Sequence, residues 1–481
     1  MVDSNSDTKK DGFTGIRGPS YRLVQGNAKE MWEMRKEAMS SPMSLSHNIA
    51  LKVQPHLESW ANMYVGHNRL GVDQRGVQQQ KRRLSKTKGR GFEKILGDGL
   101  VLAEGEKWAK LRKLATHGMI PAMISSVEMM LERWKNYEGK EIEVFEEFRI
   151  FTSEVISKTA FGSSYLEGKI IFDMLSRLTF IVMKNFYRIR LPIISKFYKT
   201  KDDIESDMLG RETSKRIMEI VKRREDKVKN GEEDSYGSDI LGGLIKARHD
   251  ADETKRISVE DLIDECKIIY FAGQETTNSL LAWTVMLLAI HTDWQEEARK
   301  EAVNAFGPHN PTPDGIARLK ISMIINESLR LYPPIVSFSK TVQREGRLGN
   351  LFIPTKMDIF ITNLALHHDP KIWGEDVHEF KPQRFSEGVP KATNNNSAAF
   401  FPFGLGPRTC VGINFTLIEA KVALSMILRR YTFTLSPAYV HSPLQLITVQ
   451  PQHVSFGSKA KLLICQILDE NSPIYEPHNS F

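Results

Sequence analysis

The stretch Phe403-Gly-Leu-Gly-Pro-Arg-Thr-Cys-Val-Gly412 decides how the rest of this chain reads. It places one cysteine, Cys410, between glycines, two residues after Arg408 and just ahead of a predicted helix. Glycines let backbone amides approach a sulfur, and a nearby cation lowers a thiol pKa, so the loop suits a thiolate presented to a metal. Zinc and iron–sulfur centres need several protein ligands. A haem iron needs one axial ligand, and a thiolate there promotes O–O cleavage. The bland alternative is a buried cysteine in an ordinary turn.

Phe403, Gly404, Gly406, Arg408, Cys410 and Gly412 together resemble the haem-binding loop of the cytochromes P-450, the haem-thiolate monooxygenases. Six fixed positions at about 5% usage each would match by chance in about one in 10⁵ chains of this length. The resemblance implies a mainly α fold with small β-sheets, one large domain over residues 1–481 around a buried haem b. It makes Cys410 the axial ligand of the iron, with Phe403 and Arg408 beside the cofactor. O2 and NADPH-derived electrons are the implied co-substrates.

Upstream, Ser258-Val-Glu-Asp261 is a capping box that opens a long helix. Its stripe runs Leu262, Cys266, Ile269, Gly273, Thr276, Leu280 and Leu287, apolar except for a missing side chain and a hydroxyl. A glycine in mid-helix costs about 1 kcal/mol against alanine, so Gly273 is expected to let a flat object approach the backbone. Ala272-Gly-Gln-Glu-Thr-Thr277 resembles the family's oxygen-activation signature, which makes Glu275 and Thr276 the proton-delivering acid and alcohol. The structural alternative has Thr276 bonding a backbone carbonyl and Glu275 standing as a surface charge. A further helix is expected from a cap at Thr292 to about Phe306.

Glu327-Ser-Leu-Arg330 places opposite charges three residues apart on one helix face, and Leu331-Tyr-Pro-Pro334 stops that helix. With Phe380-Lys-Pro-Gln-Arg-Phe385, it resembles the family's buried network, implying Glu327, Arg330 and Arg384 as supports of the haem loop. Trp108-Ala-Lys-Leu-Arg112 resembles a segment in which Trp108 and Arg112 bind a haem propionate. Lys340 falls where relatives offer another propionate-binding arginine, and supplies a point charge instead of a fork. Leu351–Pro354 and Met357–Thr362 alternate as short strands, and His367 and His368 read as structural neighbours on opposite faces of a strand. The helix after Cys410 is expected from Ile413 to Arg430, its first amides aimed at the sulfur.

Composition sets the outer limits. A chain of 481 residues at 41% hydrophobic content can bury a sizeable core. Three scattered cysteines, Cys266, Cys410 and Cys465, exclude a disulfide framework and read as cytosol-facing. No apolar run reaches transmembrane length, and Met1–Lys10 has no signal-peptide core. The eukaryotic members that this chain resembles usually begin with an anchor in the endoplasmic reticulum membrane, so that membrane's cytosolic face is the implied location and the anchor is absent here. A charge of +7 without a recognition motif argues against nucleic acid. Lys107, Lys110, Arg112 and Lys113, with Lys421, Arg429 and Arg430, form either a docking face for an NADPH-cytochrome P-450 reductase or a solvated surface.

The resemblance covers most of the chain and is closest to plant members of clan seventy-two. Two stretches depart from it. Residues 65–91 are glutamine- and lysine-rich and read as disordered where paired strands belong. Residues 454–481 do not look like the family's closing strand. Thr116–Pro121 is also short for a connection between helices. The implied function is hydroxylation of a lipophilic small molecule, terpenoid or hormone-like. Two alternatives stand beside it: a haem-thiolate isomerase or dehydratase, and a non-catalytic remnant lacking the strands.

Overall fold

The computed structural model describes residues 27–60, 63, 84–86, 95, 100, 120–137, 139–186, 199–348 and 351–451, and the strand residues 454–455, 458–459 and 463–467. Trp108, Arg112, the lysines around them and Thr116–Met119 lie outside the described residues. The longer helices are α1 (Ala28–Ser40), α2 (Ile120–Trp134), α3 (Val144–Phe161), α4 (Tyr165–Asn185) and α5 (Lys201–Lys229). They continue with α6 (Ile240–Arg248), α7 (Val259–Ile290), α8 (Thr292–Phe306), α9 (Ile321–Leu331) and α10 (Ile413–Arg430). Among the described residues no helix is long and apolar enough to cross a membrane.

Helix α7 organises the molecule. Its 32 residues span about 48 Å at 1.5 Å per residue. The capping box forms as the sequence implies, with the Asp261 amide donating to Ser258 Oγ at 2.9 Å and the Ser258 amide donating to Asp261 at 3.3 Å. Every residue from 277 to 289 is buried, as a helix wrapped by core on all sides must be. One apolar cluster packs its C-terminal half against α2, α8, α9 and α10; a second packs its N-terminal half against α3 to α6. Helix α8 starts where expected, but His291 is its N-cap and Thr292 its first residue. Gln295 is drawn inward instead, its amide donating to the carbonyls of Leu288 and Phe433.

The strands are short and antiparallel. A three-stranded sheet has the order β1 (Leu84–Lys86), β3 (Ser337–Val342), β6 (Asp358–Thr362). A second has the order β2 (Glu141–Glu143), β12 (Leu463–Ile467), β7 (Thr432–Leu435). Two-stranded pairs join β4 (Gly346–Leu348) with β5 (Leu351–Ile353), β8 (Pro443–Gln445) with β9 (Val449–Pro451), and β10 (Val454–Ser455) with β11 (Ser458–Lys459). Two sequence expectations are corrected here. Within 65–91, Leu84–Lys86 pairs with Val342–Lys340, and after residue 453 a closing strand does exist, with Ile464 opposite both Ile142 and Leu435. Pairing with a distant strand rescues segments whose own composition argues weakly for order. The remnant reading rested on missing strands, and these two remove its basis.

A buried aromatic and imidazole chain fastens the N-terminal segment to this frame. His47 Nδ1 lies 2.8 Å from the Tyr332 hydroxyl, which is 3.5 Å from His441 Nε2; the Tyr439 hydroxyl is 2.9 Å from His441 Nδ1. Trp283 of α7 stacks on Tyr332 with ring centroids 4.1 Å apart. Burial, helped by nearby His291, lowers the His47 pKa to about 3. Burial and Lys52 lower that of His441 to about 4.

Gly273 explains how α7 meets α3. A Cβ built there would lie 2.2 Å from Ile156 Cδ1 and 2.6 Å from its Cγ1. The notch therefore receives a side chain from α3, which corrects its assignment as a surface for a flat cofactor. Gly273→Ala should gain about 1 kcal/mol of helix propensity and lose about 1–3 kcal/mol to overpacking. The expected net loss is measurable by urea denaturation and should be relieved by adding Ile156→Ala; an unchanged midpoint for Gly273→Ala would refute the packing role.

Candidate active site

The loop before Cys410 is shaped by backbone geometry. Gly404 and Gly406 have φ of 77° and 83°, in the left-handed region that favours glycine. The Gly404 amide donates to the Phe401 carbonyl at 2.9 Å, Thr409 N to Gly406 O at 3.0 Å, and Cys410 N to Phe403 O at 2.9 Å. Phe403 packs against the larger core cluster, and Arg408 ends the short 3-10 turn Gly406–Arg408. These contacts deliver Cys410 exposed, with the Gly412 amide donating to its sulfur at 3.3 Å. Helix α10 begins at Ile413, as expected, but the amide that meets the sulfur is that of its N-cap, Gly412. Cys266 is fully buried in α7, where burial pushes its thiol pKa far up. An accessible thiol with an amide donor fits an iron that takes one axial thiolate, and it is the donor set haem would use here.

The proposed oxygen-handling segment lies close by in the fold. Val411 and Phe415, like Ala272 of α7, pack against the cluster that holds Ile156 and Phe271. Thr277 Oγ1 donates to Thr416 Oγ1 at 3.5 Å, joining α7 to the first turn of α10. The Thr276 hydroxyl donates to the Ala272 carbonyl at 2.8 Å, which is the structural alternative for that residue and leaves its oxygen able to accept. Glu275 is not a surface charge. Its Oε1 accepts from Thr448 Oγ1 at 2.8 Å and from Gln450 Nε2. Burial raises its pKa, while those two hydrogen bonds and the more distant Arg149 pull it down. Across α10, Glu419 is fully buried, and among the described residues no aligned hydrogen bond reaches either carboxyl oxygen. Burial raises its pKa well above the usual value, with Thr277 opposing.

The loop rests on a buried ion pair. Glu327 and Arg330 are both 0% exposed and joined by two hydrogen bonds of 2.8 Å. Arg330 also donates to the carbonyls of Val377 at 2.7 Å and His367 at 3.0 Å, and lies over the Trp373 ring. Arg384 Nε stands 3.5 Å from Glu327, while its other nitrogens donate to the Trp373 and Asp376 carbonyls. Losing one partner of such a pair costs about 3–5 kcal/mol, because the other charge stays buried.

His367 connects this pair to the cysteine loop. Its Nε2 accepts the Phe401 amide at 3.2 Å, two residues before Phe403. Burial and the Arg330 charge lower its pKa to about 3, so the ring is neutral and able to accept. His367 and His368 belong to the helix Asn363–His367 and its cap instead of a strand; His368 Nε2 donates to the Leu331 carbonyl at 3.0 Å, and its pKa too is driven well down by burial and Arg330. Both remain structural.

Other expected residues are placed less directly. Lys340 sits at the middle of β3, opposite Lys86 and Ile359. It shares a strand face with Phe338, whose ring is 3.9 Å from where a Cβ on Gly404 would lie. Lys421 and Arg429 also tie α10 to neighbouring backbone. Lys421 donates to the Ile316 carbonyl at 3.1 Å and Arg429 to those of Gly307 and His309 at 2.8 and 2.7 Å, while Arg430 is exposed. Sequence reasoning missed Glu419, Thr448 and Gln450. The alternation of two polar side chains around Val449 in an otherwise buried strand was the available signal.

Comparisons with known proteins agree with this arrangement. The Cytochrome P450 family model matches residues 71–455. Cytochrome P450 CYP749A22 of Panax ginseng is 54% identical over 464 residues, covering 91% of this chain and 88% of its own. Cytochrome P450 72A397 of Kalopanax septemlobus is 39% identical over 469 residues, covering 91% and 89%. The 7-deoxyloganic acid hydroxylase of Catharanthus roseus is 36% identical over 472 residues, covering 91% and 90%. The crystallised heme domain of cytochrome P450DA shares the fold, with a TM-score of 0.69 at 22% identity over 83% of this chain and 87% of that one. The chain belongs to the cytochrome P450 family of haem-thiolate monooxygenases, in its plant clan seventy-two.

Proposed function

We propose that this chain hydroxylates a lipophilic small molecule, terpenoid or hormone-like, with O2 and electrons from NADPH passed through a cytochrome P-450 reductase. One oxygen atom enters a C–H bond; the other leaves as water, with two electrons and two protons consumed. The observation that carries the reading is the joining of two elements: an exposed Cys410 thiol on a glycine-shaped loop, and the Glu275–Thr276 pair on the helix that α10 packs against. The names of relatives such as 7-deoxyloganic acid hydroxylase and secologanin synthase 1 support a terpenoid substrate class.

When bound, haem supplies electron transfer to dioxygen and O–O cleavage. The chain's own residues do the rest. Cys410 donates electron density as a thiolate, and the Gly412 amide moderates that donation. Arg408, Lys340 and Arg112 would offset the propionate charge, Trp108 would donate a hydrogen bond to a propionate, and Phe403 would lie beside the cofactor. Glu275, whose pKa burial raises, would supply a proton beside Thr276, whose oxygen can accept and orient water. Glu327, Arg330 and Arg384 keep the loop in register. The reductase would be drawn by basic residues such as Arg430 and those of the Lys107–Lys113 segment, and the whole chain would act as one domain on the cytosolic face of the endoplasmic reticulum membrane.

Thr276→Ala should uncouple NADPH consumption from product and raise peroxide release. Glu275→Gln should slow turnover by on the order of 100-fold, the usual contribution of a positioned acid. Full coupling in both variants would remove the proton-delivery role. Turnover of a lipid hydroperoxide without NADPH or O2 would favour an isomerase instead.

A further inference from the structure

The acid of the Glu275–Thr276 pair is gripped from outside its own helix. Both partners, Thr448 and Gln450, meet the same oxygen, Oε1. Its Oε2 takes no hydrogen bond among the described residues. The gripping strand is itself fixed: the Val449 carbonyl accepts Ser279 Oγ at 2.6 Å and Trp283 Nε1 at 2.9 Å, and the Val449 amide donates to the Pro334 carbonyl at 3.0 Å. Pairing of β9 with β8 sets Gln450 opposite Leu444. Thr448 and Gln450, two residues apart, therefore share the strand face turned to α7. Both are buried, at 0% and 6% exposure. Without Glu275 these donors would lose their acceptor in a place that water reaches poorly.

This geometry decides where a proton can sit. An oxygen that already accepts from a hydroxyl and an amide is the carbonyl-like oxygen of a neutral carboxylic acid, because protonating it would turn an acceptor into a donor facing two donors. The hydrogen then belongs on Oε2.

We propose that Thr448 and Gln450 are positioning residues for proton delivery: by donating to Oε1 they fix the Glu275 rotamer and confine its transferable proton to Oε2. The inference rests on the reading of Glu275 as the proton donor and adds how this chain aims it. The residues come from the strand pair β8–β9, far in sequence from the acid they direct.

The test is infrared spectroscopy of the purified full-length protein, with the carboxylic acid C=O band of Glu275 identified by its loss in Glu275→Gln. Thr448→Val and Gln450→Met keep shape and remove one donor each. Each should shift the band to higher frequency, because the C=O loses a hydrogen bond, and should lower product formed per NADPH toward that of Glu275→Gln. Thr448→Ser, which keeps the hydroxyl, should restore both. If Glu275→Gln stays fully coupled, the proton-donor reading fails and this inference with it. If Glu275→Gln uncouples while Thr448→Val and Gln450→Met leave frequency and coupling unchanged, the anchor alone is refuted. Should Gln450→Met fail to fold, the Thr448→Val and Thr448→Ser pair decides the matter by the same two readouts.

Discussion

Replacing Cys410 by serine is expected to abolish the strongly red-shifted absorption band that carbon monoxide gives with the reduced, haem-loaded protein. That band requires a thiolate ligand, and a serine hydroxyl is too weakly acidic to take its place. The structure narrows the candidate sulfur by access: Cys410 is exposed at the head of α10, whereas Cys266 is sealed within α7. Cys266→Ala should therefore leave the band intact. A second readout needs no haem. In the apoprotein, alkylation by iodoacetamide should mark Cys410 well before Cys266, since reactivity follows thiolate character and access. A red-shifted band in Cys410→Ser would mean that another sulfur binds the iron.

The second large effect is on acid stability. Five buried histidines, His47, His56, His367, His368 and His441, have pKa values pushed below the ordinary 6.5, to between about 3 and 4 where a value is resolved. Burial is the leading cause in each, followed by positive neighbours. The native state refuses protons that the unfolded chain accepts, so their contribution is complete above about pH 6.5 and is lost as pH falls toward 4. Glu275 and Glu419 act in the opposite sense, because burial keeps native protons on them that the unfolded chain would release. Between pH 7 and 5 the uptake by the histidines opposes the release by the two carboxyls, and each proton of net uptake on unfolding costs about 1.4 kcal/mol per pH unit. Urea midpoints measured between pH 7 and 5 should fall steeply. A flat profile would mean that these imidazoles are not neutral in the fold, and His367→Gln, which keeps an acceptor for Phe401, should flatten the slope by about one proton.

What the sequence made legible was local. The Cys410 turn, the Ser258–Asp261 cap and the Glu327–Arg330 pair each depend on residues within a few positions, and each forms as spacing implied. The helix Ile413–Arg430 has the expected bounds. What stayed illegible depends on distant partners. Gly273 looked like room for a ligand because Ile156 comes from another helix. Glu275 had two possible fates, and a strand 173 residues away supplies a third. The carbonyls that Lys421 and Arg429 cap lie about 105 to 122 positions away in sequence and could not be read from their own helix. The strands β1 and β12 were invisible for the same reason, since a few residues acquire order from the edge they join.

The placement of β12 bears on how the protein is made. In its sheet the strand that leaves the ribosome last lies in the middle, between β2 near the start of the described helices and β7. Until Leu463–Ile467 emerges, β2 and β7 each present an unpaired edge to the cell, and the ring of chain joining Ile142 to Ile464 is among the longest loops the fold must close. Loop length itself adds little free energy, since the entropy grows only with its logarithm. Timing matters more: contacts so far apart in sequence form late and leave β edges open to foreign strands during synthesis. The molecule's final zip is thus also the step at which a nascent chain is most exposed to aggregation and most in need of a chaperone.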